Sequence, residues 1–381
     1  MRCPDTVCGL GIHAVNRESP QFDMIALLGR RDSPTDAVED YCRILGRALN
    51  EYGRELALAW VRWPEVGWIR ALRELWRKSR DWKNRWVLVQ FTALSWSQRG
   101  FPFSFLAVLG ILRSRRARIA VIFHDPMPYP VLRPIHHLRR WAQRFVMRAS
   151  YRCADKSILT VPLDRVFWLT GNSPKASFIP VGANLKPIQK LANRNGGPGA
   201  LKTAAVFGIT GGGSIPKEIE DIAFAVTQAA SRLERVRLIT LGRGSREAQA
   251  QFRQALTGSS VEFVSLGILP AEEVSKTLAE ADVLLFARGP LSTQKGSAIA
   301  GIACGLPLVA YSGPQTGPPI TEAGVRLAPV GDREALATAL IEVLTDQELR
   351  QSLRDRSELA QQRYFSWSVI AARFLQVLNH A

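Results

Sequence analysis

Apolar residues in this chain come in short compact runs separated by longer amphipathic stretches. Asp23–Leu28, Leu56–Val61, Trp86–Phe91 and Ile119–Phe123 are runs of buried-strand type. After the first of them, Val38, Tyr41, Cys42, Leu45, Ala48, Leu49 and Tyr52 recur at three- and four-residue intervals and mark one face of a helix. Further helices are expected near 67–84, 103–114 and 134–153. Strands alternating with helices imply a parallel sheet covered on both faces. The pattern stops at Asn193–Ala200, a polar, glycine-rich stretch that cannot build a core. It restarts with strands at Thr203–Ile209, Val236–Leu241, Val261–Leu266, Val283–Phe286 and Leu308–Tyr311. The expected architecture is α/β, two doubly wound, Rossmann-like domains with a cleft between them. Their bounds are 1–190 and 201–364, joined by a linker at 191–200, and a last helix in 365–381 is expected to cross back to the first domain.

A length of 381 residues suits two domains of about 150 to 200 residues each. The longest apolar stretch, Phe103–Leu112, is too short to span a bilayer. Met1–Asp5 lacks the apolar region of a secretory signal, so a cytoplasmic location is expected. The five cysteines lack CxxC spacing, which favours reduced thiols over disulfides or zinc.

Charge changes the picture. Residues 1–190 hold 31 Lys/Arg against 15 Asp/Glu, whereas residues 191–381 hold 19 against 18. Nine of the ten tryptophans also lie in the first half, several inside basic segments such as Trp68–Lys78 and Arg139–Phe145. Tryptophan beside arginine on an amphipathic helix suits an anionic membrane interface, which makes peripheral attachment to the inner membrane face the expectation. A solvated basic face with its tryptophans turned into the core is the alternative. Nucleic acid also selects basic residues, but no helix-turn-helix, RNA-binding aromatic signature or zinc-finger spacing is present, so no nucleic-acid partner is expected.

The candidate chemistry sits in loops that follow strands. Gly289–Ser297 leaves one strand and opens the small-residue helix Ala298–Ala303. Free amides at a helix start can bind phosphate, with Arg288 and Lys295 adding charge, Ser292, Thr293 and Ser297 adding hydroxyls, and Gly296 allowing close approach. A polar turn before a buried helix is the plainer alternative. Gly211 and Gly212 follow the first strand of the second domain and precede Lys217 near a helix start, while Arg243 follows the next strand. These are the donor-side candidates. In the first domain, His124 and Asp125 end a strand, where a histidine faces the cleft of such a fold, and Gly29, Thr35 and Asp36 occupy the corresponding loop of the first strand. Thr35 or Asp36 could equally cap the following helix. No Asp-x-Asp and no His/Cys/carboxylate cluster with metal spacing occurs, so no metal or cofactor is expected.

Several segments together resemble the GT-B glycosyltransferases, in particular the large retaining group of family 4. The resemblance lies in Phe178–Asn184, Gly267–Pro270 before a helix, Ala281–Leu285 leading to Ala303–Ala310, and Tyr364–Trp367. It implies a nucleotide-diphosphate sugar bound by the second domain, a glycan or lipid-linked acceptor at the first, and transfer in the cleft with retention and without metal. It also implies that His124 lies beside the transferred sugar and that the Gly29 loop approaches the donor. The chain departs from the family at two positions, because alignment on Gly305-Leu306-Pro307 puts the family's two glutamates at Ser292 and Ala300. A catalytically silent relative acting as a binding or scaffold subunit is therefore the alternative.

Overall fold

The computed structural model describes residues 23–33, 35–129, 134–169, 173–186, 188, 200–209 and 215–379. The first half runs β1 (Met24–Leu28), α1 (Ala37–Asn50), β2 (Leu56–Trp60), α2 (Trp63–Val66), α3 (Trp68–Lys78), β3 (Trp86–Phe91), α4 (Ser104–Ser114), β4 (Arg118–Phe123), α5 (Ile135–Cys153), β5 (Lys156–Leu159) and β6 (Ala176–Phe178). The second half runs β7 (Lys202–Phe207), α6 (Ile215–Ala230), β8 (Val236–Leu241), α7 (Gln249–Ala255), β9 (Val261–Gly267), α8 (Ala271–Glu280), β10 (Val283–Pro290), α9 (Gly296–Ala303), β11 (Leu308–Ser312), β12 (Val325–Pro329), α10 (Arg333–Thr345), α11 (Gln347–Ala360) and α12 (Trp367–Asn379).

Each half forms one six-stranded parallel sheet, ordered β2-β1-β3-β4-β5-β6 and β12-β11-β10-β7-β8-β9. These are the doubly wound α/β architectures that the alternation implied. β1 is buried on both faces, with Ile25 and Leu27 in one core cluster and Met24, Ala26 and Leu28 in another. Strands covered on both sides need no polar alternation, which is why they read as continuous apolar runs. Strand order reverses between β1 and β3 in the first sheet and between β7 and β10 in the second, the two places where such sheets open a crevice for ligands.

Local details differ from the sequence reading. The helix expected near 67–84 is split, because Gly67, at φ 75°, separates α2 from α3 and a 3₁₀ turn follows at Ser79–Asp81. β5, β6 and β12 were not anticipated. β10 runs on to Pro290 and α9 begins at Gly296, so the loop between them is shorter than expected. All of the expected linker but Ala200 lies outside the described residues.

The two sheets share a core. Ile179, Val181 and Ala183, on the segment leaving β6, pack in one cluster with Leu284 and Ala300 of the second domain and with Phe365, Ile370 and Phe374 near the C-terminus. α12 lies against α1 of the first domain. Trp367 donates from Nε1 to the Ala183 carbonyl at 2.7 Å, and Tyr52 donates from its hydroxyl to the Ser368 carbonyl at 3.2 Å. Gly182 is required beneath the indole, since a Cβ there would stand 2.6 Å from Trp367 Cε2 and 3.0 Å from Ile370 Cδ1. Gly182→Ala is therefore expected to cost about 1–3 kcal/mol of stability through overpacking. Chemical denaturation measures it, and wild-type stability in the variant would contradict this close approach.

Candidate functional site

The two switch points face each other across a cleft of about 520 Å³. Asp32, Thr35 and Asp40 line it from the β1–α1 region, and Gly208, Gly242, Arg243, Ile268, Leu269, Arg288, Gly296, Ser297 and Ala300 line it from the second domain. Gly208 and Gly242, at φ 83° and 84°, turn the chain away at the ends of β7 and β8 in the left-handed region that glycine tolerates.

α9 presents its N-terminus to this cleft. The Ala298 and Ile299 amides turn back to the Lys295 carbonyl, whereas Gly296 and Ser297 line the cleft itself. Helix-start amides such as theirs have no carbonyl within the helix to bond. Arg288, from the end of β10, donates to Ser297 Oγ at 3.3 Å. Burial lowers the pKa of Arg288 despite the opposing charge of Glu218. Burial first, and then repulsion from Arg288, lower the pKa of Lys295, while Asp125 opposes the shift. The donor-side wall thus carries one desolvated cation, Arg288, and a helix start, with Lys295 outside the wall but within reach of the Arg288 charge.

On the first domain His124 follows the end of β4, and neither it nor Asp125 is among the described residues that line the cleft. Gln90 Oε1 lies 2.8 Å from His124 Nε2, and Gln90 donates from Nε2 to the Leu88 carbonyl at 3.0 Å, which orients its amide. The oxygen can only accept, so His124 Nε2 carries the hydrogen and Nδ1 is left as an acceptor. Tyr41 packs edge-on against the imidazole at 4.9 Å, and Trp367 packs against Tyr41 at 5.1 Å, so α12 supports the histidine through one intervening ring. Burial pushes the His124 pKa down to about 4. Burial raises that of the neighbouring Asp125, with Lys295 pulling it back across the seam.

Several candidates are committed elsewhere. Asp36 caps α1, accepting from the Val38 amide at 2.9 Å and the Glu39 amide at 3.0 Å, and it also accepts from the Asp32 amide. This is the capping alternative, and it leaves the carboxylate no part in anion binding. Gly29 serves packing, because a side chain there would collide with the Ser95 carbonyl; the adjacent Arg30 amide bonds that carbonyl at 2.8 Å. Thr293 is fully buried and donates to the Thr160 carbonyl of the first domain at 2.6 Å, so it ties the domains together rather than facing the cleft. Ser292 is likewise buried, and its Oγ has no partner among the described residues. Lys217 lines a separate cavity of about 160 Å³ with Glu218, Asp221 and Tyr311, and Arg288 lines both that cavity and the cleft. Gly211 and Gly212 lie outside the described residues.

Thr35 and Arg243 do line the cleft, but as partners of each other. Arg243 pairs with Asp32 at 2.7 Å and donates to Thr35 Oγ1 at 2.9 Å and to the Thr35 carbonyl, bridging the two domains. Burial works against ionisation of Asp32. The Arg243 hydrogen bond and charge, the Ser33 amide and Arg30 outweigh it and hold the carboxyl below the usual range.

Gln90, Tyr41 and Glu218 escaped the sequence reading. Gln90 carried a signal, as the one polar residue in the apolar run Trp86–Phe91. Glu218 carried none, because an acidic residue in the first turn of a helix is ordinary. Burial pushes its pKa up to about 7 even with Arg288 opposing. Among the described residues, no group of three His, Cys, Asp or Glu side chains could hold a metal ion.

Residues 205–346 match the family model described as Glycosyl transferases group 1. No curated protein matches the chain. Similar solved structures include the sucrose-phosphate synthase of Thermosynechococcus elongatus, at 20% identity and a TM-score of 0.69, covering 94% of this chain and 98% of that one. A glycosyltransferase from Rickettsia africae ESF-5 is 12% identical at a TM-score of 0.64, covering 95% of this chain and 100% of that one. The S. aureus MnaA–UDP co-structure is 13% identical at a TM-score of 0.61, covering 94% and 96%. Identities this low carry the fold alone. The chain therefore has the GT-B glycosyltransferase fold, with a second domain that matches the glycosyl transferases group 1 family.

Proposed function

We propose that this protein is a glycosyltransferase that moves a sugar from a nucleotide-diphosphate sugar to a glycan or lipid-linked acceptor at the cytoplasmic membrane face. Retention and independence of metal belong to the same proposal. The observation that carries it is the pairing of two switch points over one cleft, lined by Arg288 and the α9 start on one side and by Asp32 and Thr35 on the other, with Lys295 acting on Asp125, next to His124, across the adjoining seam. A diphosphate on the second domain would meet two cations and the Gly296 and Ser297 amides. When the bond from the anomeric carbon to the phosphate oxygen breaks, the departing diphosphate keeps the electron pair. Its added charge then meets groups already in place, which is how such a site lowers a barrier. Neutral His124, with Nδ1 as an acceptor, suits a sugar hydroxyl better than a phosphate.

A silent binding subunit is the second reading, favoured by Ala300 in the cleft wall and by the burial of Ser292, which leave no carboxylate where the family places its two.

The membrane part of the proposal is supported by α5. Ile135, Leu138, Trp141 and Phe145 are exposed at one-turn spacing, with Arg139, Arg140 and Arg144 interleaved and Phe103 and Phe167 alongside. Trp141 and Phe145 stack at 5.7 Å, and Arg144 lies 5.0 Å over Phe167. The core alternative holds for Trp63, Trp82, Trp86, Trp96 and Trp168, which are buried, but not for Trp76 of the basic segment Trp68–Lys78, which is 46% exposed. Among the described residues no helix is long and apolar enough to cross a membrane.

Lys295→Ala removes a charge-assisted contact of about 1.5–3 kcal/mol, roughly a 10- to 150-fold loss of affinity for nucleoside diphosphates. His124→Ala should leave that affinity nearly intact and slow transfer. Calorimetric titration and a transfer assay read the pair, and undiminished affinity in Lys295→Ala refutes the donor-side assignment. The protein should also bind anionic vesicles, more weakly as salt rises. The double change Trp141→Ser with Phe145→Ser should weaken that binding by on the order of tenfold. Sedimentation with vesicles tests this, and wild-type binding by the double variant would remove α5 from the interface.

A further inference from the structure

Next to the cleft lies the smaller cavity of about 160 Å³, and Arg288 lines both. Glu218, in the first turn of α6, is only 4% exposed, and its Oε2 has no hydrogen-bond partner among the described residues. A buried carboxyl oxygen is seldom left without a partner. Arg288 is the charged group that acts on it, and the neighbouring groups have other surroundings. Asp221 accepts from the Tyr311 hydroxyl at 2.9 Å, and Lys217 Nζ lies toward Gly331. Beyond Tyr311, Asp332 and Arg333 act on the phenol. Arg288 is the charge that acts on Glu218 itself. The same guanidinium reaches Ser297 at the α9 start, where the cleft begins.

We infer that Glu218 is a positioning residue for donor binding, holding Arg288 from behind and setting the charge that Arg288 presents to the cleft. The inference rests on the reading that a donor diphosphate faces Arg288. An ionised Glu218 would neutralise the guanidinium, whereas a protonated one leaves its full charge to the ligand. Burial holds this carboxyl at a pKa of about 7, so both forms are populated near neutrality. An anion arriving on the far side of Arg288 adds negative charge near Glu218 and raises its pKa further. Binding then takes up a proton, and by linkage the affinity falls as pH rises through neutrality. Glu218 is the carboxyl behind Arg288, with a pKa of about 7, and His124 at about 4 is already neutral across this window; burial also raises the pKa of Asp125, which faces Lys295, so Glu218→Gln is what separates the two carboxyls.

The test is calorimetry of the full chain with UDP-glucose and GDP-mannose at pH 6 and pH 8, using buffers of different ionisation enthalpy to count protons. The diphosphate diester of either probe is ionised throughout this range. The wild type should bind about fivefold more weakly at pH 8 than at pH 6, as for a pKa that starts near 7 and rises by one unit on binding, with net proton uptake near neutrality. Glu218→Gln should abolish both the uptake and the slope. Equal affinity at both pH values without proton uptake, or a slope that survives in Glu218→Gln, overturns the role of Glu218 while leaving the donor site standing. Failure of both probes to bind at either pH overturns the donor site for these nucleotides and this inference with it. Should Glu218→Gln not fold, Asp125→Asn supplies the second comparison: uptake and slope that persist in it belong to Glu218, and their loss overturns the role of Glu218.

Discussion

The seam between the two domains is the constraint on which the rest depends. Neither switch point alone encloses a ligand; the cleft exists because the chain crosses from one sheet to the other and then returns. Thr293 closes the seam near the reacting groups, donating to the Thr160 carbonyl while its own carbonyl accepts from the Val181 amide at 3.2 Å. Trp367 closes it at the back, over Gly182. Arg243 spans the mouth to Asp32 and Thr35, through exposed groups of the kind that contribute little to stability and exchange partners readily. Fixed contacts at the rear and exchangeable ones at the front suit a cleft that must admit and release a charged ligand.

Charge is divided along the same line. On the donor side, cations are half-buried and desolvated, where an arriving phosphate meets them with little screening. In the first domain, part of the arginine excess lies on α5, interleaved with exposed aromatic side chains. The strongly basic first half is thus a property of a surface, while the near-neutral second half holds the cations that bear on chemistry.

Much of the architecture was legible because β1, β3, β4, β7 and β10 are covered on both faces and read as apolar runs. β6 has only three residues and β12 is half exposed, so neither leaves such a trace. At the site, the position of Gly289–Ser297 after a strand was readable, and so was the strand-end place of His124. The division of labour within the loop was not. Whether Thr293 faces a ligand or Thr160 is decided by a partner 133 residues away, and no local pattern encodes that. Asp36 shows the opposite case, in which the local rule for a helix cap was available and prevailed. Glu218 became visible only once Arg288 and the cavity behind it were in place.

The central claim is that this cleft transfers a sugar from a nucleotide-diphosphate donor using the protein's own cations. The most direct measurement is release of nucleoside diphosphate from a set of nucleotide sugars by the purified chain, with glycan and lipid-linked acceptors, in excess EDTA. The account predicts acceptor-dependent release at the same rate with and without the chelator. Release that stops in EDTA and returns with magnesium or manganese would contradict the assignment to Arg288 and Lys295, and no release from any donor would make the chain a binding subunit rather than an enzyme.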